Sequence, residues 1–128
     1  MLRLWTRRAV SVVLTGCATL ACASWNTSAQ AANGSVVAHG TWNKAQSTLY
    51  YSASMAGWKR GSLSVDTQYY SPNHQYGPDY RNDCSNSTSC STNTYNVYCP
   101  IPGTWTIWGD GYRGTAHEHD TKSVTVSY

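Results

Sequence analysis

Apolar and polar side chains alternate with a period of two along several short segments of this chain, and this alternation restricts the possible fold more than any other feature. In residues 62–70 the alternate positions Leu63, Val65, Thr67 and Tyr69 share one face. Similar rows occur at Tyr95, Val97 and Cys99, at Trp105 and Ile107, and at Val124, Val126 and Tyr128. Successive side chains of a strand point to opposite faces, so this pattern indicates half-buried strands. No segment shows the 3.6-residue period of an amphipathic helix.

Turn-forming residues separate the predicted strands. They lie at Gly57, Gly61, Pro72, Gly77 and Pro78, in a polar loop over 84–93, and from Pro100 to Gly103. Asp110-Gly111 follows a predicted strand and favours a type I′ hairpin turn, whose central residues need positive φ. Weaker strands are expected at 35–39 and 47–53. The sequence therefore predicts an all-β fold, a small antiparallel β-sandwich of six or seven short strands, with a small barrel as the related alternative.

The first 31 residues have the order of parts of a secretory signal peptide. Arg3, Arg7 and Arg8 precede an apolar run over 9–23, and Ala29-Gln30-Ala31 supplies a small-x-small cleavage site. We therefore expect residues 1–31 to be removed and residues 32–128 to form a single secreted, extracellular domain. Two variants stay open: a twin-arginine export signal, and a lipoprotein in which Cys17 carries the anchor.

Formal charge argues against a nucleic-acid partner and against an anionic membrane surface. After residue 31 six Lys and Arg face six Asp and Glu, so the net charge is zero, and the +3 of the whole chain comes from the three leader arginines. Nucleic-acid binding needs a clustered surplus of cations, which this part of the chain lacks. We expect no nucleic-acid partner, and no membrane span, because the apolar run of the leader is too short.

Three cysteines follow the predicted cleavage site. Cys84 and Cys90 lie in one polar loop, and we predict that they form a disulfide in the oxidising environment outside the cell. Cys99 alternates with Tyr95 and Val97, so we expect its thiol to point into the core and be inert.

Trp and Tyr dominate the aromatic residues, since the chain has 6 Trp, 10 Tyr and no Phe. Their polar tips make them suited to half-exposed positions, where they anchor interfaces or stack on sugar rings. Trp58, Lys59 and Arg60 are bracketed by Gly57 and Gly61, which predicts an exposed turn carrying a Trp beside two cations.

Catalytic and metal-binding signals are weak. His117 and His119 would point the same way on a strand and form two metal ligands, but this spacing is nonspecific and a third ligand would have to come from elsewhere in the chain. No Gly-x-Ser-x-Gly elbow accompanies the many serines. We expect no enzyme activity, no metal and no cofactor.

The segment from Cys99 to His119 resembles the tendamistat-type proteinaceous α-amylase inhibitors. The shared residues are Cys99, Pro102-Gly103, Thr106, Gly109-Asp110-Gly111-Tyr112, Gly114 and His117. The resemblance implies a secreted sandwich of two antiparallel sheets that blocks its enzyme through a Trp-Arg-Tyr triplet on an exposed turn. Lys59 and Arg60 stand where that triplet has Arg and Tyr, and the family's cysteines around the triplet and in the last strand are absent here.

The sequence thus predicts a small secreted binding protein that inhibits a secreted glycosidase. The predicted binding residues are Trp58, Lys59, Arg60, Tyr112 and Arg113. The alternatives are an adaptor or structural subunit of an extracellular assembly or secreted toxin complex, and a carbohydrate-binding module. The oligomeric state stays open.

Overall fold

The computed structural model describes residues 33–128, and within that range the chain forms eight β-strands in two antiparallel sheets. The strands are β1 (Ser35–Asn43), β2 (Thr48–Ala56), β3 (Gly61–Tyr70), β4 (Tyr80–Ser87), β5 (Cys90–Ser91), β6 (Tyr95–Tyr98), β7 (Gly103–Arg113) and β8 (Ala116–Val126). The all-β class and the sandwich are therefore confirmed. The predicted signal peptide and the alternative lipid site at Cys17 lie outside the described residues.

Each sheet has four strands. In sheet one β1 pairs with β2 along its whole length, and the other edge of β2 is shared by β5 and β6. Sheet two has the order β4-β3-β7-β8, with every neighbouring pair antiparallel. The two long hairpins, β1-β2 and β7-β8, supply most of the backbone pairing.

The core lies between the sheets and consists of two clusters. One is built around Val36, Met55, Trp58, Leu63 and Val65, and the other around Leu49, Tyr51, Trp105, Ile107 and Val126. The alternate residues Leu63, Val65 and Thr67 of β3 are all almost fully buried, as the alternation predicts. Burial of such side chains contributes roughly 1.5–3 kcal/mol each.

Two different contacts join the sheets at their edges. On one side the backbone N–H of Ala38 in β1 donates to Oδ2 of Asp120 in β8 at 2.8 Å. On the other side the Cys84–Cys90 disulfide connects β4 of sheet two to β5 of sheet one, with Cα atoms 5.8 Å apart. The predicted disulfide is confirmed, and it bridges the sheets.

The predicted hairpin turn at Asp110-Gly111 is wrong, because both residues lie inside β7. The chain turns instead between β7 and β8, where Gly114 has a φ of +59°. Gly111 faces the core, where a Cβ would come within 2.6 Å of the Val36 Cγ2 atom. This glycine therefore allows the two sheets to approach each other.

Two further expectations need correction. The polar segment expected as a loop from Cys84 begins as a strand, because β4 continues to Ser87 and pairs with β3 as an edge strand that needs few apolar residues. Cys99 does not point into the core: β6 ends at Tyr98, Cys99 has a φ of +50°, and its thiol is free and exposed. Within residues 33–128 no helix has the length and apolar character needed to cross a membrane.

Candidate functional site

Trp58 was expected on an exposed turn, but its side chain is only 3% exposed. Its indole Nε1 donates to the carbonyl oxygen of Ser35 at 2.9 Å, and its backbone N–H donates to the carbonyl of Thr88 at 3.1 Å. The ring lies against Gly34, where a Cβ would come within 2.6 Å of it. The expectation of an exposed Trp is therefore wrong, because the ring is part of the buried apolar cluster between the sheets.

The two cations that follow Trp58 are exposed, as expected. Arg60 donates from Nη1 to the carbonyl of Asn86 at 2.7 Å, which links the turn to the end of β4. The structure also brings Arg113 to this turn, because its Nη2 lies 3.4 Å from the carbonyl oxygen of Arg60. Lys59, Arg60 and Arg113 thus lie together at one end of sheet two, and we call them the basic corner. Tyr112, the remaining predicted binding residue, points instead to the outer face of sheet two.

Tyr112 belongs to the outer face of sheet two, where the strand register aligns polar side chains into rows. Asp66 of β3 is paired with Arg81 of β4 on one side and with Asp110 of β7 on the other, and Asp110 is paired with His119 of β8. Paired residues point to the same face of a sheet, so this polar row crosses all four strands.

Asp110 is the centre of the row. Its Oδ1 atom accepts from Nε2 of His117 at 2.9 Å and from Nδ1 of His119 at 2.8 Å. A carboxylate oxygen only accepts, so these two nitrogens carry the protons, and in the neutral rings the remaining nitrogens face outward as acceptors. His117 and His119 are 45% and 46% exposed and Asp110 is 24% exposed, so a ligand can reach all three side chains.

Arg81 and Asp66 form an ion pair beside this centre. Nε and Nη2 of Arg81 lie 2.8 and 3.4 Å from the two carboxylate oxygens of Asp66, and this hydrogen bonding raises the pKa of the arginine. The guanidinium also lies over the Tyr112 ring, 5.7 Å from its centre. Partial burial, reinforced by the charges of Asp110 and Asp66, raises the pKa of Tyr112, so its hydroxyl stays protonated.

Three aromatic rings lie along the same face next to the polar row. Trp108 of β7 stacks nearly parallel to Tyr70 of β3 with ring centres 6.4 Å apart, and the Tyr76 ring meets both, 5.4 Å from Trp108 and 4.7 Å from Tyr70. Tyr76 is 59% exposed. We call Tyr70, Tyr76 and Trp108 the aromatic cluster. Trp108 also contacts His119, which joins the cluster to the polar row.

A small concavity of about 260 Å³, formed by described residues at one end of the sandwich, is another place where a ligand would fit. Its walls include Val97, Cys99, Ile101 and Trp105. Two of its polar side chains are already used, because Trp105 Nε1 donates to the carbonyl of Ile101 and the Ser71 hydroxyl donates to Asn73. The outer face of sheet two combines an accessible carboxylate with the exposed ring of Tyr76.

His117 and His119 do point the same way, as predicted, but both bond to Asp110. Among residues 33–128 no group of three or more His, Cys, Asp and Glu side chains has the arrangement of a metal site. In the structure His117, His119 and Asp110 form a hydrogen-bonded group on the outer face of sheet two.

The sequence reasoning missed the aromatic cluster as a site. Alternation along β7 places Trp108 on the face opposite to the core residues Trp105 and Ile107, and an outward Trp on a strand is the signal that identifies it. Tyr76 carried no such signal, because it reaches Trp108 only through the loop after β3, where it forms a bridge with Tyr70.

Comparison with known proteins finds a protein of similar fold but identifies no family. No family model matches the chain, and no curated protein matches it. The fold is similar to part of a crystal structure described as a "putative beta-galactosidase" from Bacteroides fragilis, with a TM-score of 0.50 and 10% sequence identity. The match covers 75% of this chain and 16% of that protein, so it supports the sandwich architecture alone.

Proposed function

We propose that this chain is a small binding protein that holds carbohydrate on the outer face of sheet two. The observation that carries the proposal is the aromatic cluster of Tyr70, Tyr76 and Trp108 lying beside the hydrogen-bonded group of Asp110, His117 and His119. A pyranose ring has an apolar face of C–H groups and a rim of hydroxyls. An aromatic surface next to fixed acceptors complements both parts.

The geometry supports binding of an extended chain of sugar units. Trp108, Asp110 and Tyr112 alternate along β7, so their side chains follow one another at intervals of about 7 Å on one face of the sheet. Hydrogen bonds from sugar hydroxyls to the carboxylate would be charge-assisted and therefore stronger than neutral ones. Secretion, predicted from residues 1–31, would place this surface where extracellular polysaccharides occur.

Retention on insoluble polysaccharide, with release by the soluble sugar, tests the proposal. We expect Trp108→Ala and Tyr76→Ala each to weaken binding about tenfold or more, since each removes ring surface from the site. Tyr98→Ala is the matched control, because Tyr98 is a 75% exposed tyrosine on sheet one. Circular dichroism confirms that the variants fold. Equal loss in all three variants, or no retention of the parent protein on any polysaccharide, would refute the proposal.

A second candidate function follows from the basic corner of Lys59, Arg60 and Arg113. Lys59 and Arg60 are exposed on a turn that the buried Trp58 holds in place. Such cations would form charge-assisted hydrogen bonds with the catalytic carboxylates of an extracellular glycosidase, in line with the resemblance to the α-amylase inhibitors. An amylase panel at micromolar protein tests this function: inhibition lost in Lys59→Ala and Arg60→Ala supports it, and no inhibition of any enzyme excludes it.

A further inference from the structure

We infer that the outer face of sheet two prefers a positively charged carbohydrate, namely a polymer of glucosamine units with free amino groups, over neutral sugar polymers. The inference rests on the proposed carbohydrate site and adds its ligand class.

The face carries an excess of carboxylates. Asp66, Asp83 and Asp110 are on strand positions that share the outer face, and Asp79 is close enough to interact with Asp66 and Asp110. Burial, and then repulsion from those two carboxylates, raises the pKa of Asp79. A cation that binds here would lower this repulsion, whereas a neutral sugar would not.

Arg81 is the cation that lies on this face among residues 33–128, and it does not cancel the negative charge. Its guanidinium is committed to both oxygens of Asp66. Asp83 accepts from the Ser64 hydroxyl, and Asp110 accepts from the imidazoles of His117 and His119. With His counted as neutral, neither carboxylate is paired with a Lys or Arg among residues 33–128. One charge pair and two further carboxylates leave the face negative.

Asp110 offers the best position for an amino group. Both imidazoles bond to Oδ1, and no described group donates a hydrogen bond to Oδ2. The neighbouring outward positions on β7 are the rings of Trp108 and Tyr112. An ammonium group near Oδ2 would therefore meet one carboxylate oxygen between the outward positions of two aromatic rings, which are themselves stacked on Tyr70 and His117.

Calorimetry with two oligomers of equal length tests the preference directly. Glucosamine oligomers carry a charge at each unit, whereas N-acetylglucosamine oligomers keep the ring and lose the charge. We expect the glucosamine oligomers to bind about tenfold or more tightly at low ionic strength, and the difference to shrink at high salt because surface charges are screened.

Two isosteric variants distinguish the effect of the Asp110 charge from the effect of the net charge of the protein. Asp110→Asn should remove most of the preference, because it weakens binding of the glucosamine oligomer much more than binding of the N-acetylated oligomer. Glu118→Gln alters the net charge equally, but Glu118 contacts Asn33 and points away from this face, so the preference should persist. Equal loss in both variants would overturn the inference.

The remaining outcomes are distinguishable from failure of the proposed function. If both oligomers bind equally, the charge preference is wrong and the carbohydrate site stands. If neither binds, the inference is wrong, and retention of the parent protein on other polysaccharides decides whether the proposed function fails as well. Oligolysine is the last probe: binding as tight as that of glucosamine oligomers, with the same response to Asp110→Asn, would show a general cation surface and overturn the sugar assignment.

Discussion

Trp58 is a core residue that reaches the interior from a turn. Its ring packs with Val36, Met55 and Leu63, and its indole N–H is satisfied by the carbonyl of Ser35. A buried Trp with a hydrogen-bond partner contributes both apolar burial and a satisfied polar tip. Its role is thus to fix the turn that presents Lys59 and Arg60.

Replacement of Trp58 by alanine should reduce stability strongly. We expect Trp58→Ala to lower the free energy of unfolding by about 3–5 kcal/mol, because it leaves a large cavity and unpairs the Ser35 carbonyl. Urea denaturation followed by tryptophan fluorescence and circular dichroism measures the change. Tyr98→Ala, at an exposed position, should cost less than about 1 kcal/mol. A normal unfolding midpoint for Trp58→Ala would contradict the observed burial.

Tyr51 should make the fold sensitive to alkali. Burial, with repulsion from Tyr80, Tyr69 and Tyr95 when they ionise, raises the pKa of Tyr51 above its ordinary value of 10.0. The folded state therefore holds the phenol proton more tightly than the unfolded chain. The stability from this group is complete below about pH 10 and is lost as the pH rises above it.

Tyr51→Phe tests this dependence, because phenylalanine keeps the ring and removes the ionisable group. We expect the decline in urea midpoint above about pH 10 to be shallower in Tyr51→Phe than in the parent protein. Tyr98→Phe removes an exposed phenol and should leave the slope unchanged. Identical slopes in all three proteins would refute the role of Tyr51.

At the level of strands, the alternation of apolar and polar side chains predicts only those strands that have one face against the core. It identified β3, β6, β7 and β8 because their inner side chains face a core, and the Cys84–Cys90 pairing followed from local spacing. It failed for β4, an edge strand with an exposed polar sequence. It also misread Asp110-Gly111, since a glycine gives the same signal whether it allows a turn or, like Gly111, a close contact between sheets.

Only the part of the candidate site that depends on local strand geometry could be predicted from the sequence. The shared direction of His117 and His119 follows from strand geometry and is confirmed. Their common partner Asp110 could not be recognised, because it had been assigned to a turn. The aromatic cluster depends on the register between β3 and β7 and on a loop that returns Tyr76 to the sheet, and neither is a local property of the sequence.

The disulfide should hold the edge strand β4 to sheet one. Cys84 and Cys90 are six positions apart, and a loop this short predicts a stabilisation of about 2 kcal/mol. We expect Cys84→Ala/Cys90→Ala to lose about this amount and to show faster amide exchange in β4 than in β7. The parent protein treated with reductant should behave in the same way, whereas unchanged exchange in β4 would contradict this role.

Considered as a whole, the sandwich is joined differently at its two sides. A covalent link connects β4 to β5, while at the opposite side β1 and β8 meet through the bond from the Ala38 N–H to Asp120. β1 is an edge strand, and an unpaired N–H on such an edge is a starting point for pairing with another chain. Asp120 satisfies this N–H, so it both connects the sheets and protects the edge.

Loss of the Asp120 carboxylate should therefore affect the assembly of the two sheets. We expect Asp120→Ala to lower the free energy of unfolding by about 1–3 kcal/mol, because it leaves the buried Ala38 N–H without an acceptor. Asp120→Asn retains an amide oxygen in the same place and should lose less. Asp83→Ala is the control, since it removes an exposed carboxylate from an edge strand and should cost less than about 1 kcal/mol.

Hydrogen exchange distinguishes a local defect from a defect of the whole sandwich. If Asp120 joins the sheets, exchange in Asp120→Ala should accelerate along both β1 and β8, and the variant should self-associate at high concentration because the β1 edge is exposed. Faster exchange at Ala38 alone, with the unfolding midpoint unchanged, would show that the core holds the sheets together without this bond. Hydrogen exchange, self-association and the unfolding midpoint together decide whether the Asp120 side chain or the apolar packing of the core holds β1 against β8.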